Sequence, residues 1–183
     1  MQNKLRIIGG QWRSRTITFA DAPGLRPTPG RVRETLFNWL QYDIAGRTCL
    51  DLYAGSGALG FEAASRGAKS VVQVESNPQA CQSLKQNVVA LSAHQVTPVQ
   101  AEVQQFLAGE PDCFDVVFID PPFAKNRVLA TCQALENNGW LARHAKIYVE
   151  TERSLTLEGL PANWRQLKHK VAGEVAYHLF ERS

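Results

Sequence analysis

The sequence predicts an α/β fold in which a mostly parallel sheet of roughly seven strands carries helices on both faces, preceded by an N-terminal β-hairpin. Three observations predict it. Apolar runs at residues 50–52, 71–74 and 114–119 alternate with segments of helical periodicity, the pattern of parallel strands joined by helices. A glycine-rich turn at residues 55–60 follows the first run and opens a helix. Two final strands, residues 164–171 and 175–181, join at Gly173 and close the sheet as an antiparallel pair.

The N-terminal hairpin is predicted because residues 5–8 and 15–19 alternate apolar with polar side chains around Gly9 and Gly10. We place it within residues 1–25 and the main domain within residues 26–183. Trp12 is expected to be an exposed aromatic near the turn, beside arginines on the polar face. That combination is typical of RNA-binding surfaces.

The remaining elements follow in order. A proline-rich loop at residues 21–30 leads into a helix that starts at Thr28 or Gly30 and runs to about Tyr42. Residues 78–91 are predicted to be a helix capped by Asn77, because a proline follows at its first position. A strand at 96–100, short helices beginning at 104 and 128, and a strand at 147–150 complete the alternation.

Charge is unevenly distributed. The net charge is +3, but residues 1–47 hold eight basic and three acidic residues, and the remainder holds twelve and fourteen. Seven of those eight are arginine, which binds phosphate bidentately and stacks on bases. We therefore expect contact with a polyanion at the N-terminal end; the alternative is a solvated basic face.

Composition excludes several classes. The 183 residues, 44% hydrophobic, can bury one full core. The four cysteines and four histidines lack ligand spacing, so no metal site is predicted. We find neither an apolar run that could cross a membrane nor a signal peptide, and we expect a cytoplasmic monomer without membrane contact.

The turn at residues 55–60 spells G-x-G-x-x-G, and Glu75 ends the next apolar run, where a ribose-binding acid is expected. These two features fit a dinucleotide as well as other nucleosides. Asp51, four residues before Gly55, would repel a pyrophosphate and attract an ammonium group, which favours S-adenosylmethionine. Alternatively, the Asp51 carboxylate binds the N–H groups of the loop itself, and both roles can coexist.

A second constellation, D-P-P-F at residues 120–123, follows the strand at 114–119. Two prolines fix the backbone there. The Asp120 carboxylate and a proline carbonyl can accept both hydrogens of an exocyclic amine, and Phe123 can stack on the base. The alternative is a rigid turn without chemistry.

Together, segments 7–13, 26–40, 51–60 and 65–68 and the D-P-P-F corner resemble the bacterial RsmD family, which methylates the N2 amine of a guanine in small-subunit (16S) ribosomal RNA. Ser14 stands where that family usually has glycine, and Tyr53 where it usually has phenylalanine. The resemblance implies a Rossmann-like class I methyltransferase fold, S-adenosylmethionine as cofactor, and 16S rRNA as partner, within an assembled or partly assembled 30S particle.

Three sets of site residues follow from the motifs and the resemblance together. The catalytic set is Asp120, Pro121, Pro122 and Phe123. The cofactor set is Asp51, Tyr53, Ala54, Gly55, Ser56, Gly57, Glu75, Ser76, Glu102, Val103, Thr28 and Arg31. The RNA-binding set is Arg6, Trp12, Arg13, Arg15, Arg26 and Arg33.

Two other functions stay open on sequence grounds. An amino-methyltransferase that acts on DNA adenine or on a protein amide would carry a similar D-P-P corner, so the choice of guanine comes from the resemblance. A dinucleotide-binding oxidoreductase, or an RNA-binding module without activity, is the third interpretation.

Overall fold

The computed structural model describes residues 2–23, 25–122 and 127–183. Its helices are α1 (Gly30–Trp39), α2 (Ala58–Ser65), α3 (Pro78–Leu91), α4 (Val103–Leu107) and α5 (Arg127–Asn137). Its strands are β1 (Gln2–Arg6), β2 (Thr16–Ala20), β3 (Thr48–Leu52), β4 (Ser70–Glu75), β5 (Val96–Gln100), β6 (Phe114–Ile119), β7 (Leu141–Glu152), β8 (Trp164–Ala172) and β9 (Val175–Arg182).

The main sheet has seven strands in the order β5-β4-β3-β6-β7-β9-β8. Strands β3 to β7 are parallel, β9 is antiparallel to β7, and β8 is antiparallel to β9. The predicted fold class is confirmed. The chain goes from β3 to β4 on one side of β3 and later adds β6 on the other side. The loops that follow β3 and β6 therefore run in opposite directions, and such a switch point forms a crevice in which ligands bind.

Helices cover both faces of this sheet. One buried cluster lies under α1, α2 and α3, and a second lies under α4 and α5. As predicted, Asn77 caps α3: its side chain accepts a hydrogen bond from the N–H of Ala80 at 3.0 Å. The first helix is shorter than predicted, because Leu40 leaves helical geometry and accepts a turn hydrogen bond from Asp43 N at 2.8 Å.

The N-terminal hairpin exists, but its connection differs from the prediction. β1 and β2 pair from Gln2 with Ala20 to Arg6 with Thr16, so the first strand begins and ends earlier than predicted and residues 7–15 form the connecting loop. This loop packs on the end of α2, where Gln11 N donates to Ser65 O at 2.8 Å. A Cβ on Gly10 would lie 1.9 Å from the same carbonyl oxygen, so only glycine fits there.

The expectation that Trp12 is exposed is wrong. Its side chain is 4% exposed and belongs, with Ile7 and Ile17, to the same cluster as Phe37 and Leu59. The indole buries its apolar area in this cluster, which stabilises the packing of the loop on the main domain. The hairpin therefore shares the main core, and the division between residues 25 and 26 stays a prediction.

Among the described residues, no helix combines the length and the apolar character that a membrane span requires.

Candidate cofactor and substrate site

The glycine-rich turn connects β3 to α2. Positive φ angles at Tyr53 (58°), Gly55 (56°) and Gly57 (83°) reverse the chain there, and Gly57 is the N-cap residue of α2. A Cβ on Gly57 would lie 2.5 Å from Cδ2 of Leu84. Both the backbone angle and the packing against α3 therefore require glycine at this position.

The structural alternative for Asp51 is confirmed. Its Oδ2 accepts a hydrogen bond from the N–H of Gly60 at 3.0 Å, and the side chain of Gln73 also hydrogen-bonds to it. Burial raises the pKa of the Asp51 carboxyl to about 8, although these two hydrogen bonds oppose the shift. At neutral pH the carboxyl is therefore mostly protonated until a cation approaches it.

Glu75, at the end of β4, binds the backbone of the glycine-rich turn through its carboxylate. Its Oε1 accepts from the N–H of Gly55 and its Oε2 from the N–H of Asn77, both at 2.8 Å. The carboxylate ties the glycine-rich turn to the start of α3, at the end of β4 where the sequence predicted a ribose-binding acid.

A cavity of about 780 Å³ opens at the carboxyl ends of β3, β4, β6 and β7. It lies at the switch point between β3 and β6, and it brings together most of the predicted site. The predicted residues that line it are Thr28, Arg26, Arg31, Asp51, Tyr53, Ala54, Gly55, Ser56, Glu75, Ser76, Asp120, Pro121 and Pro122.

Three described residues of the predicted catalytic and cofactor sets do not line the cavity. Gly57 does not line the cavity and instead forms the backbone of the turn at the N-cap of α2. Glu102 is exposed at the N-terminus of α4, with Oε2 3.7 Å from Arg127 Nη1, and Val103 is buried in the core under α4 and α5. Neither of these two lines the cavity, so a direct adenine contact from them stays a prediction. Phe123 lies outside the described residues.

Thr28, Asp120 and Glu150 line the cavity and form a chain of hydroxyl and carboxyl groups with the buried Tyr148. Tyr148 donates to Oε2 of Glu150 at 3.1 Å, and Oγ1 of Thr28 lies 3.4 Å from the same oxygen and 3.5 Å from Oδ2 of Asp120. Burial raises the pKa of Asp120 well above its usual range, and the negative charges of Glu150 and Asp51 raise it further.

Glu150 belongs to this site although sequence reasoning did not identify it. Burial raises its pKa, which the Tyr148 and Thr28 hydroxyls partly offset. The signal was present: Glu150 ends the apolar run at 147–149 just as Glu75 ends the run at 71–74.

The predicted RNA-binding arginines divide into two groups. Arg6, Arg13, Arg15 and Arg26 are exposed, although Arg15 Nη2 also donates to the carbonyl of Ala90 at 2.9 Å. Arg33 contradicts its assignment, because it is 5% exposed. Its guanidinium is used inside the protein, where it donates to the carbonyls of Thr28 and Arg6 at 3.1 Å each and pairs with Glu62.

Comparison with known proteins gives a consistent family. A family model described as Conserved hypothetical protein 95 matches residues 5–181. The Ribosomal RNA small subunit methyltransferase D of Escherichia coli K12 is 48% identical over 179 residues, which cover 98% of this chain and 90% of that protein. The solved structure of the Escherichia coli protein yhhF superposes with a TM-score of 0.93 at 45% identity and covers 98% of both chains.

The fold is shared more widely. The 16S rRNA N2 G1207 methyltransferase RsmC of T. thermophilus, solved with AdoMet and guanosine, matches with a TM-score of 0.76 at 24% identity, over 100% of this chain and 50% of that one. Together with the superposition on yhhF, this match confirms the predicted Rossmann-like class I methyltransferase fold. Since both the family model and a relative at 48% identity extend over nearly the whole sequence, the resemblance noted in the sequence is confirmed, and the chain belongs to the ribosomal RNA small subunit methyltransferase D (RsmD) family.

Proposed function

We propose that this protein transfers a methyl group from S-adenosylmethionine to the exocyclic N2 amine of a specific guanine in 16S rRNA. One observation carries the proposal: Asp120 and Pro121 line the same cavity as the glycine-rich turn and Glu75. The acceptors for the amine hydrogens and the glycine-rich turn that suits a nucleoside therefore line one cavity. Membership of the family supports ribosomal RNA as the substrate.

The cavity fits the proposed cofactor. Its volume of about 780 Å³ lies within the range of about 300–1,000 Å³ that small-ligand sites occupy. The Asp51 carboxyl would hold the ammonium group and the Glu75 carboxylate the ribose hydroxyls, while Gly55 leaves the turn open to a close approach. When bound, S-adenosylmethionine supplies an electrophilic methyl group on a sulfonium.

The residues of this chain would orient the amine. The N2 lone pair of guanine is delocalised into the ring, which makes the amine a poor nucleophile. It becomes a better one when hydrogen-bond acceptors bind its hydrogens and orient it toward the methyl group. The Asp120 carboxylate and the Pro121 carbonyl are suited to this because prolines at 121 and 122 restrict the backbone. Most of the rate enhancement comes from this alignment. Access to N2 requires an unpaired or flipped base, which favours an RNA loop.

The experiment is transfer of labelled methyl groups to small ribosomal subunits from cells that lack the enzyme, followed by mass mapping of the modified nucleotide. We expect N2-methylguanine with the wild-type protein and no label with Asp120→Ala, which should still bind S-adenosylmethionine. Asp112→Ala is the matched control, because Asp112 is an exposed carboxylate before the same strand. Free 16S rRNA and 30S particles are assayed in parallel to identify the preferred substrate.

The other interpretations are outcomes of the same assay. Methylation of duplex DNA or of a protein amide, with none of RNA, would move the assignment to those amino-methyltransferases. Binding of NAD without binding of S-adenosylmethionine would reject the proposed mechanism altogether.

A further inference from the structure

Thr28 stands between two carboxyl groups, and its hydroxyl has one proton to donate. Oγ1 lies 3.5 Å from Oδ2 of Asp120 and 3.4 Å from Oε2 of Glu150. It can donate to only one ionised carboxylate at a time. When Oδ2 of Asp120 carries a proton, however, Asp120 donates to Thr28 and Thr28 donates to Glu150, so the hydroxyl uses both its donor and its acceptor capacity. The geometry therefore suits a protonated Asp120 beside an ionised Glu150.

Tyr148 favours the same assignment, in which Asp120 is protonated and Glu150 is ionised. Its hydroxyl donates to Oε2 of Glu150 at 3.1 Å, so that oxygen receives two hydroxyl donors, which stabilise its ionised form. Tyr148 is fully buried, and Thr28 and Glu150 are 4% and 7% exposed, so water screens these interactions little.

We propose that Glu150, acting through the Thr28 hydroxyl, makes Asp120 the acceptor of the proton that the guanine amine loses. The inference rests on the proposed function. As N2 bonds to the methyl carbon with its lone pair, the carbon–sulfur pair stays on sulfur and the positive charge passes to N2. The N2–H bond then breaks, its electron pair stays on nitrogen, and the proton binds the Asp120 carboxylate. Glu150 is thus a positioning residue.

Repulsion between the two carboxylates drives this step. Beside a cationic methyl donor both can be ionised; once the positive charge has moved to N2, a proton on Asp120 removes the repulsion. Other charged or titratable groups also lie nearby, but among the described residues the Thr28 hydroxyl is within hydrogen-bond distance of only two carboxyl groups, those of Asp120 and Glu150. Asp51 from β3, Tyr148 from β7 and Tyr177 from β9 interact electrostatically with Asp120, and the charged residues Arg26, Arg31, Glu75 and Arg127 line the same cavity.

The test is Glu150→Gln, which keeps the shape and an acceptor oxygen but removes the charge. Without the negative neighbour the pKa of Asp120 falls, so Asp120 becomes a weaker base that is ionised at lower pH. We expect the single-turnover rate near neutral pH to fall about 10- to 100-fold, less than the whole contribution of about 10²–10⁴-fold that general base catalysis makes, because Asp120 is weakened as a base but not removed. At saturating S-adenosylmethionine the acidic limb of the pH–rate profile should move to lower pH, while KM for small subunits stays unchanged.

Substitutions at Thr28 test the connection separately. Thr28→Val should reproduce the rate loss, and Thr28→Ser, which restores a hydroxyl, should recover most of the rate. The double variant with Glu150→Gln should be no slower than either single variant, because both interrupt one path. Glu158→Gln, at an exposed glutamate in the loop after β7, should behave as wild type.

A wild-type rate and pH profile in Glu150→Gln would overturn the inference while the proposed function stands. A rate loss in Glu150→Gln that is explained entirely by lower cofactor affinity or lower thermal stability would also overturn the inference, because Glu150 would then have a structural role. If the wild-type protein leaves guanine N2 unmodified, the proposed function fails and the inference falls with it.

Discussion

Arg33 of α1 and Glu62 of α2 form a buried ion pair, with Nη1 3.5 Å from Oε1 and side chains 6% and 0% exposed. The same carboxylate binds Arg66 Nε at 2.9 Å and accepts the N–H groups of Ile8 and Gly9 at 2.9 Å each. One side chain therefore connects the hairpin loop, the first helix and the helix behind the glycine-rich turn.

Replacing Glu62 with Ala should lower the free energy of unfolding by about 3–5 kcal/mol, because Arg33 would stay buried without its counter-charge. Denaturant unfolding measures this. Glu34→Ala, at an exposed glutamate on α1, is the control and should change stability by about 0.5 kcal/mol or less. A decrease at Glu62 no larger than at Glu34 would show that the ion pair contributes little.

Cofactor binding should release protons from Asp51. With a pKa of about 8, this carboxyl is mostly protonated near pH 7, and an ammonium group beside it lowers that pKa. Titration calorimetry with S-adenosylmethionine in buffers of different ionisation enthalpy should show proton release near pH 7 that decreases as the pH rises through about 8. Asp51→Asn should abolish this release. Equal release from that variant would assign the proton to another group.

Gly60→Ala should weaken binding of S-adenosylmethionine about tenfold or more, equivalent to at least about 1.4 kcal/mol. A Cβ there would lie 2.6 Å from Nε2 of Gln73 and 2.8 Å from Oδ2 of Asp51, so the Asp51 carboxyl must shift. Gly30→Ala is the control, since its Cβ would meet only Arg33 Nη2, at 3.7 Å. Equilibrium dialysis of both variants gives the comparison, and equal affinities would refute the steric argument.

Arg6 and Arg13 should contribute to RNA affinity. Replacing each with Gln should make the slope of log affinity against log salt less negative by about one for each arginine–phosphate pair that the substitution removes. Cofactor affinity should not change. The control is Arg47→Gln, at an exposed arginine just before β3, on the edge of the sheet opposite to the cavity. If the control has the same effect, RNA binding is not localised to the hairpin.

Ser14→Gly should stabilise the fold by about 1 kcal/mol or less, because Ser14 adopts φ 69°, where glycine has no Cβ penalty. Ser154→Gly, at an exposed turn serine outside the left-handed region, should instead be neutral or destabilising. Thermal unfolding distinguishes the two, and a lower melting temperature for Ser14→Gly would contradict the prediction.

Local chemistry allowed much of the fold to be predicted from sequence. Asn77 before Pro78 and the apolar runs ending in Glu75 and Asp120 depend on neighbours in the chain, and the structure places them as predicted. Parallel strands place their carboxyl ends on one edge, so the meeting of the glycine-rich turn with Asp120 also followed from the alternation of elements.

Long-range packing explains the errors. Trp12 packs near Ser65 and Arg33 pairs with Glu62, both on α2 and more than 25 residues away in sequence, and the residues next to Trp12 and Arg33 do not reveal these partners. Glu150 was overlooked for the opposite reason: its local pattern was informative, but its role depends on Thr28, which reaches it from the proline-rich loop.

Both outer strands of the sheet bear features that hinder self-association. Strand β5 contains Pro98, which lacks an N–H, and β8 presents Lys168 and Lys170 to solvent. An incoming strand would therefore meet either a missing donor or a row of positive charge. The lysines of β8 oppose pairing with a further polypeptide strand, which protects this edge of the sheet from aggregation. The same positive charge is compatible with a nearby nucleic acid.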